Sequence, residues 1–476
     1  MKILAFILLL SMPLMAQTST LTVVPATSYQ TMRGWEAAHQ SGESWLLPDE
    51  TEEYPSTSFA NYDDNLFAAM LDVGINRIRL EVFLSDVNAT GYAEQPNTYA
   101  AIQPSTATAG QWHYDRVRRQ MDAVVIPYRD LLTAQGETLF INLCIVDFDN
   151  AGYDAENTPS EYAFFVNKIV TDFEDRYGFL PDTIEAILEP DAGENSTNWT
   201  AAKIANNIVA ADSTLTGNGF TGIKWIAPST TDGTIAAGWY QDMVAAQAGL
   251  PALMAELSYH SYTTPNDSQR DTIASEADGD GIGTAMLEYI GADFSMLWSD
   301  LTRAKVTGWQ QYTNTFPYTG WTDDGAQYFE TNTTTWAVTP AKRTKWLRHI
   351  FKYVRRGAVR KGVTTTSAPA VAFQNSNDTW VVVIRNSSSG TMTVEDLPAG
   401  TYGINYSYGS DTNDAPSTYN QSFSNQTITT GQDVVFTMSG AGVATVYNIN
   451  YLTGDSPSTS SVMRGGVKLS GGVKLQ

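Results

Sequence analysis

Between about residue 60 and residue 355 the sequence repeats one pattern: a segment with apolar residues at helical spacing, a short β-branched run, then a polar loop. Such repeats call for parallel strands with helices laid over them, because parallel neighbours need a crossover of about a dozen residues or more. The runs predict strands over 31–37, 75–80, 138–145, 183–188, 222–227, 252–259, 283–287 and 305–309. Eight is the count at which such a sheet closes, so the expected fold is α/β, a (β/α)₈ TIM barrel. Helices are expected over 65–71 and 161–177, stopped by Gly74 and Gly178, and over 342–356, with Trp346, Leu347, Ile350, Phe351 and Val354 facing the core.

After Lys361 the composition turns to Thr, Ser, Asn and Gly, with period-two runs over 371–373, 380–384, 391–394, 403–408, 433–438 and 443–448. That pattern predicts an appended antiparallel β-sandwich. The expected division is a secretory signal peptide over 1–16, an N-terminal strand within 17–32 joining the sandwich, a barrel over 33–360, the sandwich over 361–453 and a flexible tail over 454–476. Lys2, the apolar run 3–10 and Ala16 fit a signal peptide too short to span a bilayer, so a secreted or periplasmic protein with no membrane span is expected.

The 476 residues are 42% hydrophobic and include one cysteine, Cys144, so stability has to come from burial rather than from an intrachain disulfide. Against 51 Asp and Glu stand 28 Lys and Arg, a formal charge of −23 that repels nucleic acid and anionic membranes and suits a neutral substrate. The four histidines lack His-Glu-x-x-His spacing, and neither a Gly-x-Ser-x-Gly elbow nor a phosphate-cradling Gly-x-x-x-x-Gly-Lys run occurs. Asp278-Gly279-Asp280-Gly281 reads as a turn before the seventh strand, because no glutamate stands where a calcium loop needs its bidentate ligand. No metal and no cofactor are expected, and nothing in the sequence fixes an oligomeric state.

Two of the predicted strands run into glutamates, the fourth at Glu189 and the seventh at Glu288. In a barrel both carboxylates would stand at the same rim, the minimum equipment for cleaving a glycosidic bond with retention. Glu256, inside the sixth strand, reads instead as an ion-pair partner at the barrel bottom.

The order Gln30-Thr31-Met32-Arg33-Gly34-Trp35, Arg79, Glu189-Pro190, Tyr259-His260-Ser261-Tyr262, Glu288-Tyr289 and Trp309 resembles clan A of the glycoside hydrolases. The segment from Phe351 to Arg360, leading into Trp380-Val381-Val382-Val383-Ile384-Arg385-Asn386, is similar to family 30 and its close relatives. The resemblance spans about residues 21–448 and implies a retaining enzyme acting on a β-linked glucan, xylan or related glycan. By it Glu189 is the general acid and base, and Glu288 the nucleophile. Arg79 and Tyr262 are expected to donate to Glu288. Trp35, Trp112 and Trp309 are expected as sugar-stacking platforms, and His39, His260, Asp147 and Asp149 as hydroxyl partners at the rim. One departure stands out: where the clan has asparagine before the acid, this chain has Leu188, which leaves Asp191 and Glu194 as alternative acids. Two other readings stay open, a catalytically silent glycan-binding protein and an inverting hydrolase with a wider carboxylate pair.

Overall fold

A computed structural model describes residues 17–38, 58–83, 117–147, 155–192, 198–315, 325–409 and 419–452. Strand β1 (Gln17–Thr31) precedes the barrel. The barrel is closed by β2 (Gly34–Ala38), β3 (Arg77–Phe83), β4 (Phe140–Val146), β5 (Thr183–Glu185), β6 (Lys224–Asp232), β7 (Met254–Thr263), β8 (Gly283–Glu288) and β9 (Val306–Thr313), each parallel to its neighbours. Each of the eight expected runs supplies one barrel strand. β5 is short, yet its track continues: Ala186 N donates to Ile226 O at 2.9 Å and Leu188 N to Ile145 O at 2.8 Å, so the chain reaches Glu189 still held by both neighbours.

Period two sorts the side chains of these strands. Trp35, Ile78, Leu80, Leu143, Trp225, Leu257, Tyr259, Met286 and Trp309 join one large core with the surrounding helices. Inside the barrel the same strands carry charge. The Arg77 guanidinium bridges Glu36 and Glu256, the latter at 2.8 Å, all three fully buried, which is the bottom ion-pair role expected of Glu256. Burial pushes the Glu36 carboxyl up to about 7 against the pull of Arg77, whereas Arg77 and Arg33 overcome burial at Glu256 and hold it low.

The helices are α1 (Asp63–Val73), α2 (Ile126–Ala134), α3 (Pro159–Tyr177), α4 (Ala201–Gly217), α5 (Ala236–Ala246), α6 (Asp267–Asp280), α7 (Phe294–Ser299) and α8 (Lys342–Phe351). α1 stops at Gly74, where φ is 100°, and the position takes only glycine because a Cβ there would run into the Phe351 carbonyl. α8 is shorter than expected. Its end is capped by Arg355, whose guanidinium turns back onto Phe351 O at 2.8 Å and Gly74 O at 3.2 Å while pairing with Glu137. The expected turn at Asp278 also gives way, because Asp278 to Asp280 complete α6 and the reversal waits for Gly281 at φ 70°. No described helix is long and apolar enough to cross a membrane.

The C-terminal strands and β1 form one nine-stranded sheet around a second core of Leu21, Val23, Trp380, Val382, Ile404, Phe436 and Val446 among others. It is mixed rather than purely antiparallel: β1 runs antiparallel to Val359–Thr365 but parallel to Gly390–Glu395. A strand arriving from the far end of the chain is not bound by hairpin geometry. The two end strands of the sheet are clasped by the Gln426 side-chain amide, which donates to Val435 O at 2.6 Å and accepts from Val435 N at 3.0 Å, covering edges otherwise open to pairing. Gln421–Ile428 was not expected as a strand, because its sequence QSFSNQTI has no apolar alternation.

The sheet's other face, with Val371, Phe373, Val381, Val383 and Val443, belongs to the barrel's own core. α8 supplies the junction. Arg348 pairs with Asp72 of α1 at 2.8 Å and donates to Asn420 at 2.8 Å, and buried His349 lies against Thr445 and Ser407.

Candidate active site

Everything that places the first carboxylate lies at the β5 exit. Glu189 has φ 50°, a left-handed backbone that an L side chain adopts at a cost of about 1–2 kcal/mol. The turn is held on both sides: Glu189 N donates to Ser229 O at 3.1 Å, and Ala192 N returns to Glu189 O at 3.1 Å. Asp191 fastens the loop further by accepting from Thr231 N at 2.6 Å and Asp232 N at 3.1 Å. Its carboxylate is therefore committed to backbone, which removes it as an alternative acid; Glu194 lies outside the described residues. Leu188 packs with Cys144 and Val146 at 5% exposure, an apolar wall where the family resemblance led us to look for an amide.

Glu189 Oε1 lies 2.8 Å from His260 Nδ1 on β7. Burial alone would lower the imidazole's pKa, but the hydrogen bond with Glu189 and the charges of Glu288 and Glu189 outweigh it and raise it. A hydrogen on Nδ1 is thus favoured, and it points at Glu189 Oε1.

Glu288, at the last position of β8 and 7% exposed, receives two donors. Arg79 Nη2 reaches Oε2 at 2.5 Å, and the Tyr262 hydroxyl reaches Oε1 at 2.8 Å. Arg79 is fully buried on β3 and also donates to Leu287 O at 3.3 Å and Glu81 at 3.3 Å. Burial opposes its charge, yet Glu288 and its other acidic neighbours keep it protonated. Burial and the Glu288 charge raise the Tyr262 phenol, so it remains a donor through the neutral range.

One ligand atom each from Glu189, His260 and Glu288 lie within 4.8 Å of one another. By distance alone the three could hold an ion. The guanidinium already seated on Glu288 supplies that positive charge and would repel a divalent cation.

Of the other sequence-predicted residues, Trp35 and Trp309 are not at the rim. Both are fully buried on the outward face of their strands: Trp35 stacks on Phe351 at 4.5 Å with its indole on Val354 O, and Trp309 donates to Asp300 at 2.9 Å. β9 runs on to Thr313, so Trp309 sits mid-strand rather than at its close, and its parity points it away from the lumen. Asp147 is at the rim but 1% exposed, accepting from the Trp199 indole at 3.1 Å, so it anchors a loop instead of facing the cleft. His39, Trp112 and Asp149 lie outside the described residues.

Three neighbours of the site were not among the expected site residues. Glu81 shares a strand face with Arg79, a relation visible from spacing of two. Tyr312, three residues beyond Trp309, has its ring 6.0 Å from the Arg79 guanidinium, and the ring of Tyr289 meets Tyr262 edge-on at 5.6 Å.

Neither a family model nor a curated protein sequence matches the chain. Solved structures do. The catalytic domain of GH30 xylanase C from Talaromyces cellulolyticus is similar with TM-score 0.64 at 17% identity, over 91% of this chain and 100% of that one. A GH30 endoxylanase from Clostridium papyrosolvens gives 0.58 at 14%, over 91% and 100%. An endo-β1,6-glucanase gives 0.61 at 15%, over 90% and 95%. The fold is the one these glycoside hydrolases share. The barrel with its appended β-domain is thus common to the chain and to clan A structures of family 30, at identities that speak for architecture alone.

Proposed function

We propose that the chain is an extracytoplasmic retaining glycosidase that cleaves a β-linked glycan by double displacement. The observation carrying this reading is the pair of carboxylates at the exits of β5 and β8, with one oxygen of each within 4.8 Å. Retaining enzymes hold their carboxyls about 5–5.5 Å apart, while inverting ones need about 6.5–9.5 Å to admit a water.

The surroundings support distinct roles. Glu288, gripped by Arg79 and Tyr262, is oriented with little freedom to turn, and attacks the anomeric carbon. Glu189, accepting from His260 Nδ1 at Oε1 and carrying its proton on the other oxygen, gives that proton to the departing oxygen, and the negative charge left on it faces His260 Nδ1. As the glycosyl ester forms, Glu288 gives up its charge and Arg79 keeps Glu81 as a partner, so the buried cation is not stranded. Glu189 then takes a proton from the incoming water, which releases the sugar. The solved enzymes named above include xylanases and a β1,6-glucanase, which supports a β-glycan as substrate, and residues 1–16 support export.

The test is a hydrolysis screen over β-glucans and xylans with the intact chain and Glu288→Ala side by side. Turnover by the former on at least one glycan, and none by the latter, is expected. Equal turnover by both would remove Glu288 from the chemistry, and carbohydrate binding without any hydrolysis would favour the silent glycan-binding protein.

A further inference from the structure

Two residues at the barrel rim share an unusual backbone. Ser229 on β6 has φ 55°, as left-handed as Glu189 at φ 50°, and the two are joined, since Glu189 N donates to Ser229 O. Neither is a glycine, so each conformation has to be imposed by its surroundings. At Ser229 the imposing group lies on β7. The parallel ladder of β6 and β7 breaks here: Pro228 stands opposite Ser258 and Thr230 opposite Tyr259, which leaves Ser229 as an extra residue with no partner in the register. Its buried N–H has to be satisfied in some other way. The Ser258 hydroxyl does so, accepting from Ser229 N at 3.1 Å and bonding Ser229 Oγ at 2.7 Å, with both residues fully buried. Just beyond the bulge, Thr231 N and Asp232 N hold Asp191, so the turn that carries Glu189 hangs on this stretch of β6. His260, two residues past Ser258, meets the Glu189 carboxyl at 2.8 Å. One strand therefore fixes Glu189 at both ends, its backbone through Ser258 and Ser229 and its carboxyl through His260.

We propose that Ser258 is a positioning residue for Glu189, its hydroxyl replacing the ladder bond that the bulge removes and so setting where the general acid stands. It acts through Ser229 and touches no sugar. The margin is narrow, because a displacement of about 1 Å in a reacting group can cost about a hundredfold in rate. In Ser258→Ala the buried Ser229 amide loses its acceptor, and the bulge relaxes, carrying with it the carbonyl on which Glu189 N rests. The role of Glu189 as acid rests on the glycosidase reading of the barrel. The chain of hydrogen bonds from Ser258 to Glu189 does not.

The experiment compares kcat/KM on an alkyl and a dinitrophenyl β-glycoside of the same sugar for the intact chain, Ser258→Ala and Ser229→Ala. Loss of acid help slows only the substrate whose leaving oxygen needs a proton, whereas a purely structural defect removes active molecules and lowers both alike. Ser258→Ala is expected to lower the alkyl-to-dinitrophenyl ratio at least about tenfold. Ser229→Ala keeps the amide bond and cuts only the hydroxyl pair, a gentler change that should lower the ratio about threefold. In a Glu189→Ala background neither substitution should alter the ratio further, because the group they position is gone. An unchanged ratio in both single variants, or a further fall on top of Glu189→Ala, overturns the proposal. Crystal structures of the two variants separate it from the reading beneath it. If the intact chain cleaves no glycoside, the glycosidase reading fails. Glu189 Oε1 beyond hydrogen-bond reach of His260 Nδ1 in the variants would still uphold Ser258 as its support, and Glu189 unmoved in both would overturn that as well.

Discussion

The junction of barrel and sandwich should titrate, and His349 is the group that makes it do so. Thr445 Oγ1 donates its only proton to His349 O at 2.8 Å, so at the 3.0 Å contact with Nδ1 it must accept. Nδ1 therefore carries the hydrogen, and Nε2 accepts from the Ser407 hydroxyl at 2.8 Å, while Ser407 itself accepts from Asn420 N. The imidazole is neutral, fully paired and fully buried. Burial, helped by the neighbouring Arg348 charge, lowers its pKa from 6.5 to about 3. In the unfolded chain the ring takes up a proton below about 6.5, so acid favours unfolding: this contribution is intact above pH 6.5 and is lost progressively down to about pH 3. At about 1.4 kcal/mol per pKa unit the whole effect is about 5 kcal/mol, of which about 2 is expressed at pH 5 and about 3 at pH 4. Glu36, raised to about 7, works in the opposite sense, its stabilisation fading as pH rises from 4.5 to 7, so the slope of the intact chain alone is ambiguous. The difference between the intact chain and His349→Gln isolates the histidine, since glutamine can donate and accept but takes no proton. Urea unfolding from pH 7 to pH 4 should show the two stabilities converging by about 3 kcal/mol as pH falls. Parallel curves would refute the reasoning.

Other outcomes follow from the site. Glu189→Ala should slow substrates with poor leaving groups by at least about a hundredfold while sparing activated aryl glycosides, because general acid help matters only where the departing oxygen needs a proton; the ratio of kcat/KM on the two substrate types reads this directly. Arg79→Met should abolish turnover and also lower stability by about 3–5 kcal/mol, since Glu81 and Glu288 would be left buried without their cation; thermal unfolding distinguishes this from a purely chemical loss. Trp309→Phe should lower the melting temperature yet leave KM on short substrates unchanged, because the indole bonds Asp300 inside the core and does not face the cleft.

What could be read from the sequence, and what could not, divides along physical lines. The barrel strands were legible because outward residues such as Ile78, Leu80 and Leu143 impose period two, and the helix stops because Gly74 and Gly178 are the residues that tolerate positive φ. Strand ends were less legible. Placing the close of β9 at Trp309 instead of Thr313 made a core tryptophan look like a sugar platform and hid Tyr312, whose parity faces the lumen. The mixed sheet could not be foreseen, since local alternation says nothing about the direction in which a strand from the other end of the chain inserts. Likewise the polar strand Gln421–Ile428 is held by its partner and the Gln426 clasp rather than by its own apolar pattern. Within the site, Glu189, Glu288, Arg79, His260 and Tyr262 are brought together, whereas Asp147 could not be distinguished from a hydroxyl partner until Trp199 was seen to hold it.

The account turns on whether Glu288 forms a bond to the sugar. The most direct measurement is the anomeric configuration of the first product, followed by proton NMR before mutarotation on whichever β-glycan the intact chain cleaves. Two displacements at one carbon return the β-anomer, which is the expected result. An initial α-anomer would mean that water, not Glu288, attacks the sugar, and would contradict the account.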